Sequence, residues 1–233
     1  MENLKYEMSL ESFNLIPGNP FAYWINSKYI NSFKNGIKLV DLFDVRKGAD
    51  TGDNNRFLRL WFEVNSNHCN IFSNCDKWVS YAKGGDFRRW YGNKEYVVFW
   101  ENNGEALKSV KANLRSPHLY FKKTITWSAL TSGGSSFRIN DSKGLFDSAG
   151  SSMLPNKERF NYVLGVLNSK VSDSIFDILN PTLNFGAGTI GLFPLIEVQN
   201  KKVDFIVDEQ INISQKDWNS FETSWDFKKH PLI

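Results

Sequence analysis

Leu58, Leu60, Phe62 and Val64 alternate with Arg59 and Glu63. This period-two pattern of a half-buried strand predicts extended chain over 56–64. Residues 39–45, LVDLFDV, read as another extended stretch that runs into a turn-rich segment, 46–55. Further strands are predicted at 78–82, 96–100, 119–127 and 136–140, separated by clusters of Gly, Asn and Ser. The period changes in two places. Behind Pro20, a good first-turn residue, Phe21, Trp24, Ile25, Tyr29, Ile30 and Phe33 recur at near-helical spacing and predict a helix over 20–33. From Asn156, a good N-cap, Phe160, Val163, Leu164, Leu167, Val171, Ile175 and Ile178 follow at intervals of three and four. Gly165 and Asn168-Ser169 leave one helix or two short ones open. The pattern stops before Asn180-Pro181, as the steric restriction on a pre-proline residue requires. No internal repeat or low-complexity tract interrupts it.

These periods predict an α+β fold, a strand-rich mixed or antiparallel sheet with a few short helices. Residues 1–204 are expected to form one domain. Residues 205–233, where polar positions alternate with Trp218, Phe221, Trp225 and Phe227, are expected to be an extension that packs on it or leads to a further domain. The ending HPLI carries no capping signal and reads as truncated.

Composition narrows the class. With 41% hydrophobic and 23% charged residues in 233, the chain can bury a core, unlike a disordered tail. The longest purely apolar run, Tyr96-Val97-Val98-Phe99-Trp100, is far short of the ~20 residues a membrane helix needs. The opening MENLKYEMSL has no apolar stretch of a signal peptide, so a cytoplasmic protein without a membrane partner is expected. Cys69 and Cys75 exclude a disulfide scaffold. With His68 they give three ligands, too few for a structural zinc tetrahedron, and reduced thiols are the simpler reading. No metal is expected.

Charge is distributed unevenly. Residues 77–143 hold twelve Lys or Arg against five Asp or Glu, whereas 197–233 hold five against seven. A basic third suggests a polyanion partner, although a solvated face can also be basic. Three loops concentrate its chemistry or border it. In GADTGDNNRF, 48–57, two glycines allow close backbone approach, and Thr51, Asn54, Asn55 and Arg56 crowd donors together. The spacing fits neither GxxxxGK[ST] nor GxGxxG, and a surface hairpin loop explains it equally well. In KGGDFRRWYGN, 83–93, the guanidiniums of Arg88 and Arg89 can neutralise phosphates or read guanine, while Tyr91 can stack on bases beside Lys83. Trp90 reads equally well as core. In WSALTSGGSSFR, 127–138, small hydroxyl residues around Gly133-Gly134 lead to Arg138, and an ordinary hairpin turn is the competing reading.

Asn180-Pro181-Thr182-Leu183-Asn184-Phe185 is similar to the Asn-Pro-Pro-Tyr motif that holds a flipped adenine in amino-methyltransferases. Thr182 replaces the second proline, the aromatic is displaced, and no glycine-rich cofactor loop precedes it, so it reads as a turn. His68, His118 and His230 fall in unlike contexts with no nucleophile elbow or HExxH, so no catalytic residue is assigned.

The chain resembles the region after the catalytic domain in PglX-type adenine-specific DNA methyltransferases of BREX phage-exclusion systems, and more loosely the specificity regions of type IIG restriction–modification enzymes. The resemblance rests on ordered blocks that span nearly the whole chain: 47–64, 81–104, 120–130, 162–170, 178–196 and 217–232. It implies a target-recognition domain that binds double-stranded DNA. The S-adenosylmethionine-dependent catalytic domain, a partner in the parent chain, would lie N-terminal and outside these residues. Such a reader serves adenine N6 methylation, which needs the base flipped and the duplex gripped nearby. The expected contacts are Thr51, Asn54, Asn55, Arg56, Lys83, Arg88, Arg89, Tyr91 and Arg138, with the three loops converging on one cationic concavity. The alternative is a protein-interaction module that docks another defence-system subunit or a phage inhibitor. A stand-alone enzyme is a third reading, and the catalytic constellation it needs is missing.

Overall fold

The computed structural model describes residues 14–20, 24–141, 143–180, 182–198 and 201–233. In chain order the main elements are α1 (Ser27–Asn35), β1 (Ile37–Lys38), α2 (Leu39–Leu42), β2 (Asp44–Arg46), α3 (Asn54–Phe57) and β3 (Leu58–Leu60). They continue with β4 (Trp78–Ala82), β5 (Tyr96–Phe99), α4 (Glu101–Ser109), β6 (Thr124–Trp127), β7 (Phe137–Asn140), β8 (Gly144–Phe146) and β9 (Ser152–Leu154). The remainder is α5 (Phe160–Leu167), α6 (Lys170–Leu179), α7 (Ala187–Gly191), β10 (Pro194–Leu195) and α8 (Lys201–Trp218). The class is α+β with mainly antiparallel pairing, as the periodicity predicts.

Two four-stranded sheets organise the chain. The first has the order β2-β9-β6-β7 and the second β3-β5-β4-β8. All of these pairs are antiparallel except β4–β8. Each sheet has its own core. Ile125, Trp127, Phe137 and Met153 of the first pack against Phe160, Val163, Leu164, Leu167 and Phe176 of α5 and α6. Leu58, Val79, Tyr81, Val98 and Phe146 of the second pack with Phe57, Trp100, Leu107 and Leu119.

Several predicted boundaries move, each for a local reason. Residues 39–45 are not one strand. Leu39 is fully buried, and Phe43 N–H donates to its carbonyl at 2.8 Å, so a helical turn precedes β2. The alternation at 56–64 becomes a pleat only at β3, because Glu63 Oε2 accepts from Leu60 N–H at 2.7 Å and turns the chain into a short 3-10 helix. Phe62 is left 59% exposed. Asn26, whose side chain accepts from Lys28 N–H at 2.9 Å, starts α1 later than Pro20 suggests, and 21–23 lie outside the described residues. The second helical pattern resolves into α5 and α6, with Ser169 capping α6. The 18-residue α8 was not anticipated and runs unbroken through position 204. Val207 on α8 belongs to the same core as α5, with Val203 and Ile211 packed against it.

Two of the chain segments that cross between the sheets meet. Residues 47–53 lead from β2 to α3 and β3, and 147–151 lead from β8 to β9. They lie side by side: Ala49 N–H donates to Phe146 O at 2.7 Å and Ser148 N–H to Ala49 O at 3.1 Å. Gly48 permits this contact, since a Cβ there would sit 1.9 Å from the Phe146 carbonyl oxygen. Its close approach is therefore to the protein's own backbone rather than to a ligand. Gly48→Ala is expected to lower the unfolding free energy by about 1–3 kcal/mol, the usual cost of overpacking, measured by urea titration. Wild-type stability in that variant would contradict the contact.

Candidate nucleic-acid interface

The three loops singled out from the sequence are structurally related. Residues 83–95 connect the antiparallel pair β4–β5 of the second sheet, and 128–136 connect the β6–β7 hairpin of the first. Residues 47–53 form one of the joining segments. All three reach another joining segment, 147–151. Gly84 of the 83–95 loop lies so close that a Cβ there would be 2.8 Å from Ala149 O, just past β4, whose Ala82 O accepts from Asp147 N–H at 2.9 Å; Ala129 N–H donates to Ala149 O at 2.8 Å, and Ala49 bonds both Phe146 and Ser148. Tyr81 Oη donates to Asp147 Oδ2 at 2.8 Å and to Ala49 O at 3.1 Å. Its phenol, displaced upward by burial and by Asp147, stays a neutral donor. The sequence signal for this hub is the small-residue run Ser148-Ala149-Gly150-Ser151-Ser152, which carries neither charge nor a hydrophobic period.

The 83–95 loop also completes the edge of the first sheet. Trp90 N–H donates to Phe137 O at 2.8 Å and Trp90 O accepts from Ile139 N–H at 3.0 Å, which adds a rung beside edge strand β7. Trp90 packs on the first core, which favours its core reading. Ser128 Oγ donates to Gly85 O at 2.8 Å and ties the hairpin loop to the 83–95 loop. Phe87, 45% exposed, lies against Gly133. Leu130, 72% exposed, pairs with Asn184 of the 180–185 turn. That turn is closed by Asn180 Nδ2, which donates to Thr182 O and Asn184 O at 3.0 and 3.1 Å, consistent with its reading as a turn rather than an adenine clamp.

The expected contact residues separate into exposed and interior groups. Asn54, Asn55 and Arg56 are exposed on α3, which Asp53 caps through Arg56 N–H at 3.1 Å. Arg56 lies 4.9 Å from the Phe57 ring centre. Lys83 is half-buried, 5.1 Å from the Tyr96 ring. Arg88 donates to Asp217 at 3.2 Å from above the Trp218 ring. Arg89 makes two bonds to Asp173, at 2.8 and 3.0 Å, and so fastens the loop to α6.

Three of the expected contact residues, Thr51, Tyr91 and Arg138, are interior. Thr51 is buried and donates to Asn54 Oδ1 at 2.6 Å. Tyr91 is buried beneath Lys94, whose ammonium lies 4.2 Å from its ring and pairs with Asp141 at 2.7 Å. Arg138 is 1% exposed. Strand alternation places Phe137 in the core and Arg138 on the opposite face, and the 83–95 loop covers that face instead of solvent. Its Nη2 donates to Ser128 Oγ at 3.0 Å, while Nε and Nη1 are without partners among the described residues. Burial, opposed by Glu95 and reinforced by Arg88, brings the guanidinium down to about 10, so it is charged at neutral pH. Arg88 and Arg138 thus share one electrostatic environment with Glu95, whereas Arg56 belongs to a separate helix.

Cys69 is buried with Ile71 and Val97, and burial pushes its thiol up. A cleft lined by Arg159, Tyr162, Glu197 and Lys201 uses none of the loop residues. Among the described residues no helix is long and apolar enough to cross a membrane.

The bidentate Arg89–Asp173 pair makes a measurable claim. Arg89→Ala is expected to cost about 1 kcal/mol, the upper range for a partly exposed pair. In a double-mutant cycle with Asp173→Asn the two effects should be non-additive in thermal unfolding. Strict additivity would remove the strut.

No family model matches the chain. It is 40% identical over 227 residues to the adenine-specific methyltransferase BrxX of Escherichia coli O9:H4 (strain HS), covering 95% of this chain and 18% of that protein. It is 36% identical over 247 residues to the adenine-specific methyltransferase PglX of Lacticaseibacillus casei (strain Zhang), covering 99% of this chain and 20% of that protein. The chain thus spans about a fifth of the length of the curated relatives it matches. With identity of this level along nearly its whole length, the chain corresponds to a segment of the PglX-type proteins.

Proposed function

We propose that this chain is a DNA target-recognition module that gives site specificity to adenine N6 methylation in a BREX-like defence or restriction–modification system. The observation that carries this reading is the meeting of three Gly-, Asn- and Arg-bearing loops, distant in sequence, around the 147–151 segment. The similarity to adenine-specific methyltransferases supplies the context. On this reading Asn54, Asn55, Arg56, Lys83 and Arg88 meet the duplex directly, since charge-assisted bonds need accessible donors. Thr51, Arg89, Tyr91 and Arg138 shape the loops behind them. The module itself does no chemistry. S-adenosylmethionine would belong to the catalytic domain of the parent protein. The residues described here do not fit it: their parallel pair, β4–β8, is joined through β5, β6 and β7, without the strand, glycine loop and helix unit such a cofactor uses. A soluble cytoplasmic setting follows from the same reading.

Titration of a labelled duplex across a salt series tests it. The logarithm of the affinity should fall by about 0.9 per logarithm of salt for each phosphate neutralised. Arg56→Ala and Arg88→Ala should each make that slope shallower. Binding that ignores salt would refute the reading.

A second reading draws on one observation. Phe62 and Phe72, 59% and 45% exposed, flank Trp61 with ring centres 5.5 and 6.0 Å away. Such an aromatic surface suits a protein partner, either another defence subunit or a phage inhibitor. Heparin chromatography separates the two: charge reversal in the 83–94 loop should advance elution if that loop carries a polyanion site, and identical elution favours protein docking.

A further inference from the structure

The cations of the 83–95 loop are held by acids in unequal ways. Lys94 is buried and pairs with Asp141, and Arg89 Nη2 donates to both Asp173 carboxylate oxygens. Arg88 differs from both. It meets Asp217 through one N–H at 3.2 Å, and the Asp217 side chain is 62% exposed. Its guanidinium lies 4.8 Å from the ring of Trp218, which is 3% exposed and fixed in the body. Gly92, at φ 124°, leaves the room for this arrangement, because a Cβ there would lie 2.7 Å from Arg88 Cδ and 3.1 Å from the Trp218 ring. The guanidinium is therefore oriented by packing and only lightly held by charge. Behind it stands Arg138, more than nine-tenths buried, with Nε and Nη1 unbonded among the described residues. A buried cation is poorly screened, so Arg138 acts electrostatically on Arg88, with Glu95 opposing it. The nearby Glu95 carboxyl is itself displaced upward by burial.

We propose that Arg88, stacked on Trp218 and backed by Arg138, is a phosphate site, and that the Asp217 carboxylate occupies it as an exchangeable stand-in until a nucleic-acid phosphate displaces it. This rests on the DNA-binding reading above and deepens it. A single-bond pair with a solvated carboxylate is weak enough to yield to a phosphodiester, whose two non-bridging oxygens can engage the guanidinium bidentately. Arg89 by contrast is a positioning residue, because its bidentate partner keeps the loop on α6.

The test uses the 233-residue chain and a labelled duplex at low salt. Four proteins are compared: wild type, Asp217→Asn, Arg88→Ala and the double variant. Thermal unfolding confirms that each is folded, and Glu209→Gln on the same helix serves as the control for general charge. Asp217→Asn should tighten binding about two- to fivefold, the equivalent of losing a competing surface pair. The gain should vanish in the Arg88→Ala background, and Glu209→Gln should not reproduce it. An unchanged or weaker affinity for Asp217→Asn overturns the stand-in, as does equal tightening with and without Arg88. If neither wild type nor Asp217→Asn binds the duplex at low salt, the DNA reading itself fails and the stand-in falls with it.

Discussion

The structure depends on the contact between two of the segments that join its sheets, 47–53 and 147–151. Ala49 bonds Phe146 and Ser148 across a gap that only a glycine at 48 permits. Asp147 then gathers the Tyr81 hydroxyl and the Ala149 N–H at 2.8 and 2.7 Å. Buried backbone and carboxylate groups are costly unless bonded, so this hub is either satisfied as a whole or lost as a whole. Because the 47–53, 83–95 and 128–136 loops all touch it, their relative positions follow from it and not from their own sequences.

The same loops show how one residue type takes three physical roles. Arg138 is interior because the face of β7 opposite the core is roofed by a loop of the other sheet. Arg89 is a strut because Asp173, in the first turn of α6, presents both oxygens to it. Arg88 is accessible because its partner Asp217 is itself solvated. The net charge of a sequence window cannot separate these cases. Asp173 and Asp217 lie outside the basic window 77–143, yet they neutralise cations within it. The basic third is thus less basic in space than in sequence.

Secondary structure was legible wherever one face of an element meets one core. β4, β5 and β7 fall within a residue of their predicted limits, and α6 ends at Leu179 before the pre-proline restriction. Legibility failed where a local bond outcompeted the period. The Glu63 cap ended the pleat of β3, and the Leu39 turn displaced the start of β2. The helix α8 was hidden for another reason. Its inward positions Val203, Val207 and Ile211 recur every four residues, but aromatic residues beyond its end drew attention to a different period.

The sequence by itself determined the α+β class, the helical and extended segments with strong periods, and the loops rich in Gly, Asn and Arg, because these are properties of neighbours along the chain. Only the tertiary structure decided which donors of those loops reach solvent. That choice turns on partners far away in sequence: Asp217 for Arg88, Asp173 for Arg89, and the covering loop over Arg138. Burial and pairing are set by the packing of one sheet's connections against the other's, and no local pattern encodes that.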